Sequence, residues 1–373
     1  MNMRKQEIYA LTGLRGVAAT MVMFYHFGAS SLLPPGIGAN ILHHGYLMVD
    51  LFLILSGFII AMTYGQRFAQ TIDWKEYGNF LVRRIARMYP LYALMILTAG
   101  ALVATGWMDH WPGPAISIST LIDLTMLQSV IHVPSLDTPA WSVSAEWVAN
   151  LFFPFFAFLC LRRSWFLVGL ITIISFVTLP VLVHLPALID EPKRAGLLDI
   201  WNYGTVYPVV RCVADFVLGI VVFRVSQVSW VKQWISSNWI APVLVVLILV
   251  FMSIQQADLW IVSLFPLLVL VLIPNTNLIS RFVGSKPIYR LGEISYAIYL
   301  IHNQMNYFIL AGAQKLVSIT GINDNTAHAI AMLIFATFVI LLADFAYRLI
   351  EKPARNYINS FVSKKPLPIY QAT

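Results

Sequence analysis

Arg15 and His26 lie in the first apolar segment of the chain, residues 11–27. A charged side chain inside an apolar segment is costly in a membrane, so such residues normally face the protein interior and serve a function. Their eleven-residue spacing returns a helix to nearly the same angle, so both are predicted to share one face, about 16 Å apart. A guanidinium binds phosphate well, and an imidazole accepts a proton from a hydroxyl. One helix is therefore predicted to carry an anion-binding group near one membrane surface and a base near the other.

Two more arginines and two carboxylates extend this pattern. Arg84 and Arg87 are three residues apart, so on a helix they share one face. Clustered guanidinium groups suit phosphate, because their N–H donors match its oxygen atoms in pairs. A carboxylate near His26 would fix its tautomer and raise its basicity, and Asp50 or Glu146 is the candidate for this role. Together these residues predict a phosphorylated donor at the arginines and a hydroxyl acceptor at the histidine, as in the acylation of an alcohol.

The composition indicates an integral membrane protein. Of the 373 residues, 59% are hydrophobic and 11% are charged, whereas soluble globular proteins carry about 25% charged residues. The apolar runs are long and continuous, which argues against the alternating pattern of a transmembrane β-barrel. The net charge of +7 is assigned to cytoplasmic loops and not to a nucleic-acid surface. No disulfide is expected between Cys160 and Cys212, and no metal site is expected, because the histidines show no ligand-like spacing.

Ten windows of about 20 apolar residues predict ten transmembrane helices. They cover residues 11–30, 45–64, 88–107, 139–161, 165–184, 207–224, 238–255, 258–273, 292–312 and 327–350. With the N-terminus inside, nineteen Lys and Arg residues fall in cytoplasmic segments and four on the opposite side, with Arg15 set aside. We therefore expect an all-α polytopic membrane protein with both termini cytoplasmic. The shorter apolar stretch 119–131 is expected to form an interfacial or half-inserted helix.

This topology sorts the polar residues by depth. It places the three arginines near the cytoplasmic surface, and it places His26, Asp50 and Glu146 in the outer half of the bilayer. Unpaired charges cannot face lipid, so a cavity that joins the two groups is predicted. Arg211 and Asp215, four residues apart in the sixth span, are expected to neutralise one another.

Five segments of the chain together resemble the membrane-bound acyltransferase 3 family. In chain order they are LTGLRGVAATMVMFYHF, VDLFLILSGFI, RRIARMYPLY, PAWSVSAEW and LGEISYAIYLIH. The resemblance runs from the N-terminus to the EKPAR stretch around Glu351, which is nearly the whole chain. The family's spaced motifs are matched by Arg15 and His26 (R-x10-H), Arg84 and Arg87 (R-x-x-R), Trp141, Ser142 and Glu146 (W-S-x-x-x-E), and Ser295, Tyr296, Tyr299, Leu300 and His302 (S-Y-x-x-Y-L-x-H).

The resemblance implies a function and a domain organisation. Members of this family O-acylate cell-surface or exported carbohydrates, usually with acetyl from cytoplasmic acetyl-CoA, and some carry an appended extracytoplasmic domain. This chain is expected to be of the stand-alone kind, with an acyltransferase transmembrane domain over residues 1–358 and a short cytoplasmic tail over 359–373. Its expected partners are an acyl-CoA as donor substrate, a carbohydrate acceptor and the bilayer of the inner (plasma) membrane. No bound cofactor and no nucleic acid are expected.

Roles for individual residues follow from the same resemblance. The pantetheine arm of the donor is expected to extend along the first helix towards His26, and Trp141 is expected to stack against a sugar ring. The implied roles are catalysis by His26 with Glu146 or Asp50, donor binding by Arg15, Arg84 and Arg87, and acceptor binding or support by Trp141, Ser142, Tyr296 and His302.

Other interpretations of these residues stay open. Arg15 could simply anchor its helix, Trp141 could be an interfacial aromatic, and His302 could serve packing alone. A transporter or flippase of an exported glycan, or acylation of a small secondary metabolite, are the alternative functions. The absence of paired Gly- or Pro-broken spans in two corresponding halves argues against transport. The sequence leaves open the sugar, its hydroxyl, the acyl group, and the choice between direct transfer and a covalent intermediate.

Overall fold

The computed structural model of the chain describes residues 8–107, 113, 115–162, 164–185, 194–201, 204–274 and 276–362. Over these residues the chain is helical, without a β-strand. The prediction of an all-α protein is therefore confirmed for this part of the chain. Residues 363–373, most of the predicted tail, lie outside the described residues.

The described residues form seventeen α-helices. From the N-terminal side they are α1 (Tyr9–His26), α2 (Ile37–His43), α3 (Met48–Phe68), α4 (Trp74–Ala104), α5 (Ile116–Leu124), α6 (Gln128–Ile131), α7 (Ala140–Leu161) and α8 (Trp165–Val183). They continue with α9 (Tyr207–Val225), α10 (Ser229–Ile235), α11 (Ile240–Met252), α12 (Asp258–Leu272), α13 (Leu278–Val283), α14 (Lys286–Glu293), α15 (Ser295–Thr320), α16 (Asp324–Ala346) and α17 (Lys352–Ser360). A π-helical segment, Tyr347–Glu351, joins α16 to α17.

Several helical segments are long and apolar enough to cross a membrane. The described residues contain five of them, Ile37–Phe68, Trp74–Ala104, Ala140–Leu161, Trp165–Val183 and Asp324–Ser360. A sixth is reached if α10 and α11, which are bent by 72°, count as one span. Helices α1, α9, α12 and α15 coincide with further predicted spans, but α12 has 15 residues, and the others carry polar side chains that lower their hydropathy. The number of ten spans and the cytoplasmic termini stay predictions.

Glycines let the helices of the bundle centre approach one another closely. A Cβ added at Gly16 of α1 would lie 2.6 Å from the backbone nitrogen of Gly292 in α14. A Cβ added at Gly219 of α9 would lie 2.8 Å from the backbone nitrogen of Phe58 in α3. Small residues at such crossings allow the tight backbone packing typical of membrane helices. The contacts hold α1 against α14 and α3 against α9, and so set the positions of the polar residues on these helices.

The stretch predicted to be interfacial forms two short helices. Residues 119–131 fall in α5 and α6, with a turn between them. The buried Asp123 carboxylate accepts a hydrogen bond of 2.7 Å from the backbone N–H of Leu136. The hydroxyl of Tyr92 in α4 donates a 2.8 Å hydrogen bond to the Asp123 carbonyl. These bonds fix the connection between α4 and α7, the two helices that bring Arg84 and Glu146 together.

Candidate active site

Three arginines from two helices line one cavity in the bundle. Arg15 enters it from α1, and Arg84 and Arg87, one turn apart, enter it from α4. Nη2 of Arg84 donates a 2.8 Å hydrogen bond to Oε1 of Glu146, and Arg87 forms an ion pair with Glu351. Arg15 has no hydrogen-bond or ion-pair partner among the described residues. The cavity therefore contains two guanidinium groups in direct ion pairs and a third, Arg15, that has no ion pair of its own and only longer-range attraction to Glu146 and Glu351.

The long helix α4 carries its arginines into the bundle. The sequence predicts a span that begins at residue 88, just after Arg87, but α4 begins at Trp74 and runs for 31 residues. The Asp73 carboxylate caps its first turn by accepting two backbone N–H groups, at 2.8 and 3.2 Å. Arg84 then lies about 15 Å along the axis, at 1.5 Å per residue. The two arginines therefore lie within the helix and not ahead of it.

Glu146 belongs to the arginine cluster. Its Oε1 accepts hydrogen bonds from the Ser56 hydroxyl at 2.6 Å and from Arg84 at 2.8 Å. The prediction that Glu146 orients His26 is therefore wrong. The physical reason is the depth of the arginines, because α4 carries Arg84 far enough to meet the first turns of α7. Glu146 holds Arg84 in place at the cavity wall.

Asp50 is bonded to a different partner, the fully buried Arg211. Its two carboxylate oxygens accept hydrogen bonds from Nε at 2.8 Å and from Nη2 at 2.5 Å. With both oxygens engaged in this two-bond geometry, the prediction that Asp50 orients His26 is also wrong. The expected Arg211–Asp215 pair is replaced by this one. Asp215 is buried beside the Asp50 carboxylate, within hydrogen-bonding reach of it.

His26 instead pairs with a second histidine. Its Nδ1 lies 3.0 Å from Nε2 of His302, and the two ring centroids are 5.0 Å apart. His302 is fully buried in α15, whereas His26, the last residue of α1, is half-buried. The structure thus joins two residues that are 276 positions apart in the sequence. The motif predicts a supporting role for His302 but not its contact with His26.

A tyrosine separates the cavity from the histidine pair. Tyr299 lines the cavity, and its ring centroid lies 5.8 Å from that of His302. The Tyr299 hydroxyl lies 2.6 Å from the Ser142 hydroxyl. The Phe52 ring packs against the Tyr299 ring, with 5.9 Å between the ring centroids. Neither histidine is among the described residues that line the cavity. The predicted cavity therefore extends from the arginines to Tyr299 and stops short of His26.

Tyr296 and Trp141 are the remaining predicted site residues. Tyr296 lines the cavity, its hydroxyl donates a 2.7 Å hydrogen bond to the Met88 carbonyl, and the Arg87 guanidinium lies 5.9 Å from its ring centre. This position supports Arg87 through a cation–π contact. Trp141 is half-buried in the first turn of α7, away from the cavity, and its carbonyl accepts a 2.8 Å hydrogen bond from Ser129. The stacking of Trp141 on a sugar stays a prediction.

Glu351 is a site residue to which the sequence analysis gives no role. It is fully buried at the end of the π-helical segment Tyr347–Glu351, pairs with Arg87, and lies 3.8 Å from Arg355. π-helical segments are rare and concentrate at functional sites. The sequence could have indicated a role for Glu351, because a carboxylate at the end of a long apolar helix requires a cationic or hydrogen-bonding partner.

One carboxyl outside the membrane-spanning helices lies near the Tyr299 end. Asp137, in the loop before α7, is fully buried and accepts a 3.5 Å hydrogen bond from Asn303. Burial raises the pKa of Asp137 well above its usual range. This shift favours the uncharged form, so Asp137 contributes less negative charge near Tyr299 than its residue type suggests.

Comparison with known proteins connects this site to a family. The chain matches the family model described as an acyltransferase domain over residues 8–345. It is 26% identical over 326 residues to Acyltransferase MdmB of Streptomyces mycarofaciens, which covers 80% of this chain and 79% of that protein. It is 24% identical over 408 residues to Peptidoglycan O-acetyltransferase OatA of Listeria monocytogenes, which covers 96% of this chain and 58% of that protein.

A third relative gives the same result. O-acetyltransferase OatA of Staphylococcus aureus is 22% identical over 381 residues, covering 92% of this chain and 57% of that protein. The chain therefore spans less than two thirds of the length of both OatA proteins. The family model covers nearly the whole chain and includes the three cavity arginines and the two paired histidines. Glu351 lies beyond its last matched residue. The chain belongs to the acyltransferase 3 family and is a membrane-embedded O-acyltransferase.

Proposed function

We propose that this enzyme transfers acetyl from cytoplasmic acetyl-CoA to a hydroxyl of a cell-surface or exported carbohydrate. The observation that carries the proposal is Arg15, which is half-buried and without an ion pair of its own at the wall of a cavity that also contains Arg84 and Arg87. A partly desolvated cation without a direct partner is stabilised when an anion binds beside it. The phosphates of CoA are anions of the required kind, and guanidinium groups bind phosphate through paired N–H donors.

The walls of the cavity suit the rest of the donor. Beyond the arginines the lining includes apolar side chains of α3, among them Val49, Leu53 and Ile60. Such a surface accepts the uncharged pantetheine arm, which ends in the thioester. With the phosphates at the arginines, the arm points towards Ser142 and Tyr299 at the far end of the cavity. The acyl group then lies on the side of the bundle that holds the histidine pair.

In the proposed reaction His26 is the general base. Its free ring nitrogen takes the proton of the acceptor hydroxyl while the oxygen attacks the thioester carbonyl carbon. A C–O bond forms and the C–S bond breaks, and the CoA thiolate takes up the proton from His26, so the products are the ester and free CoA and the base is restored. Tyr299 stands between the two substrates, and its side chain turns aside to admit the acyl group. We propose direct transfer, without an acyl-enzyme intermediate.

The acceptor and the location rest on different support. The relatives from Listeria and Staphylococcus are named as O-acetyltransferases, and the former acts on peptidoglycan by its name. We therefore propose a carbohydrate acceptor outside the cytoplasm. The excess of Lys and Arg in alternate connections supports an inner-membrane protein with ten spans and both termini in the cytoplasm.

Transfer in a purified system tests this function. The enzyme is reconstituted in proteoliposomes, acetyl-labelled acetyl-CoA is supplied, and peptidoglycan fragments, a lipid-linked glycan and a small secondary-metabolite alcohol are offered in parallel. We expect label on a carbohydrate, none without protein, and little with His26→Ala. Label on the small alcohol alone would support a small-metabolite enzyme. Movement of unlabelled glycan across the vesicle wall without label transfer would contradict the proposal and support a transporter.

A further inference from the structure

Two backbone carbonyls assign the ring protons of the histidine pair. Nδ1 of His302 lies 3.2 Å from the carbonyl oxygen of Ile298, and Nδ1 of His26 lies 3.1 Å from the carbonyl oxygen of Val22. A carbonyl oxygen only accepts hydrogen bonds, so each Nδ1 must carry the proton that it donates. In a neutral imidazole the other nitrogen, Nε2, then carries a lone pair.

The contact between the rings fits this assignment. Nε2 of His302, with its lone pair, lies 3.0 Å from the protonated Nδ1 of His26. The proton on His26 is therefore shared between the Val22 carbonyl and His302. The chain of donors runs from His26 to His302 to the Ile298 carbonyl, and every link has one donor and one acceptor.

The reverse assignment leaves unfavourable contacts. If His302 donated from Nε2 in its neutral form, its Nδ1 lone pair would face the Ile298 carbonyl at 3.2 Å, and the His26 lone pair would face Val22 at 3.1 Å. His302 is fully buried, where water cannot relieve such a contact. Unpaired buried polar atoms cost free energy, so the first assignment is the stable one.

We infer that His302 is a positioning residue that holds His26 in the tautomer with a free Nε2, the atom that receives the acceptor proton. This inference rests on the proposed role of His26 as base. In the familiar catalytic triad a carboxylate performs this task. Here both carboxylates expected near His26 are bound elsewhere, Asp50 to Arg211 and Glu146 to Arg84. A neutral imidazole takes the position instead.

Variants of His302 separate positioning from packing. His302→Leu fills the space but cannot accept the hydrogen bond from Nδ1 of His26. We therefore expect kcat to fall about 10- to 100-fold, as for a lost hydrogen bond to a charged group. The KM for acetyl-CoA should stay unchanged. His302→Gln places an amide oxygen near the former Nε2, and we expect it to recover most of the kcat. The matched control is His328→Gln, because His328 contacts the Phe27 carbonyl at 3.2 Å and not the His26 ring.

A spectroscopic measurement is independent of turnover. Nitrogen-15 shifts of histidine-labelled enzyme distinguish protonated from unprotonated ring nitrogens, and His26→Ala identifies the His26 signals. In the neutral wild-type ring we expect a protonated Nδ1 and an unprotonated Nε2, and in His302→Leu a mixture of both tautomers. An unchanged His26 spectrum in His302→Leu, or a kcat equal to wild type in that variant, would overturn the inference. Full activity of His26→Ala would instead refute the proposed base, whatever the His302 variants show.

Discussion

The Arg84 guanidinium lies 2.8 Å from the Glu146 carboxylate and ties the first turns of α7 to the arginine end of the cavity. The adjacent Arg87 is compensated by Glu351 from the far end of the chain. Between these two ion pairs, Arg15 stands without a partner of its own among the described residues. This arrangement fixes the positions of two guanidinium groups and keeps the charge of the third available to a ligand.

Loss of the Glu146 charge should affect donor binding more than the chemical step. In Glu146→Gln the Arg84 side chain loses its charged partner and its fixed position, so we expect the KM for acetyl-CoA to rise about tenfold and kcat to change by less than about threefold. Steady-state kinetics on membranes with equal amounts of enzyme measure both. The control is Asp344→Asn, which removes a carboxylate outside the cavity lining that pairs with Arg290 and, at 2.7 Å, with the exposed Arg348. A large fall in kcat at constant KM would place Glu146 in the chemistry instead.

Replacement of Arg15 should separate binding from stability. Because Arg15 has no ion-pair partner in the described residues, Arg15→Gln leaves no carboxylate uncompensated, and we expect the thermal midpoint in detergent to stay equal or to rise. The dissociation constant for acetyl-CoA should increase at least about tenfold, as for a lost charge-assisted bond. Arg87→Gln, by contrast, leaves the buried Glu351 carboxylate with only the more distant Arg355, at 3.8 Å, and should lower the midpoint. Equal destabilisation by both variants would contradict the assignment of Arg15 to the ligand.

The buried pair of Asp50 and Arg211 should be structural. Asp50→Asn leaves Arg211 as a buried cation with one strong bond fewer, and removal of one partner of such a pair costs about 3–5 kcal/mol. Asp215→Asn should be neutral or slightly stabilising, because it removes a buried carboxyl next to that of Asp50 and supplies an amide that can donate a hydrogen bond to Asp50. Unfolding in detergent and the amount of protein in membranes measure both effects. A stable Asp50→Asn variant that lacks activity would restore Asp50 as a catalytic candidate.

The hydroxyl of Tyr299 decides between direct and relayed transfer. Tyr299→Phe keeps the ring between the cavity and the histidine pair but removes the 2.6 Å bond to Ser142. For direct transfer we expect activity within about tenfold of wild type, the size of one neutral hydrogen bond. Ser142→Ala should match it, because it removes the same bond. If Tyr299→Phe alone abolished transfer, an acyl group carried on the tyrosine oxygen would be the better explanation.

Local periodicity predicted some of these relationships well. The spacing of Arg15 and His26 indicates one helix, and both lie on α1. The predicted span 139–161 differs from α7, Ala140–Leu161, by one residue. The ordered motifs also predicted the family, which the family match confirms. Each of these features depends on residues that are near one another in the sequence.

Contacts between helices were not predictable in the same way. The pairing of Glu146 with Arg84 depends on how far α4 extends ahead of its apolar run, and a capping aspartate sets that start. The contact of His26 with His302 depends on the rotation of α15 against α1. Hydropathy contains neither quantity, so carboxylate partners for His26 were predicted only from their expected depth in the bilayer and their chemistry. The structure assigns those carboxylates to arginines.

The most direct test of the central claim is to separate donor binding from transfer in one variant, His26→Ala. Acetyl-CoA binding to purified enzyme is measured by calorimetry, and acetyl transfer to a glycan is measured in proteoliposomes of the same preparation. The proposed roles predict an unchanged dissociation constant, because the arginines are intact, and a rate lowered about 10²- to 10⁴-fold by loss of the general base. Wild-type transfer by correctly inserted His26→Ala enzyme would contradict the claim.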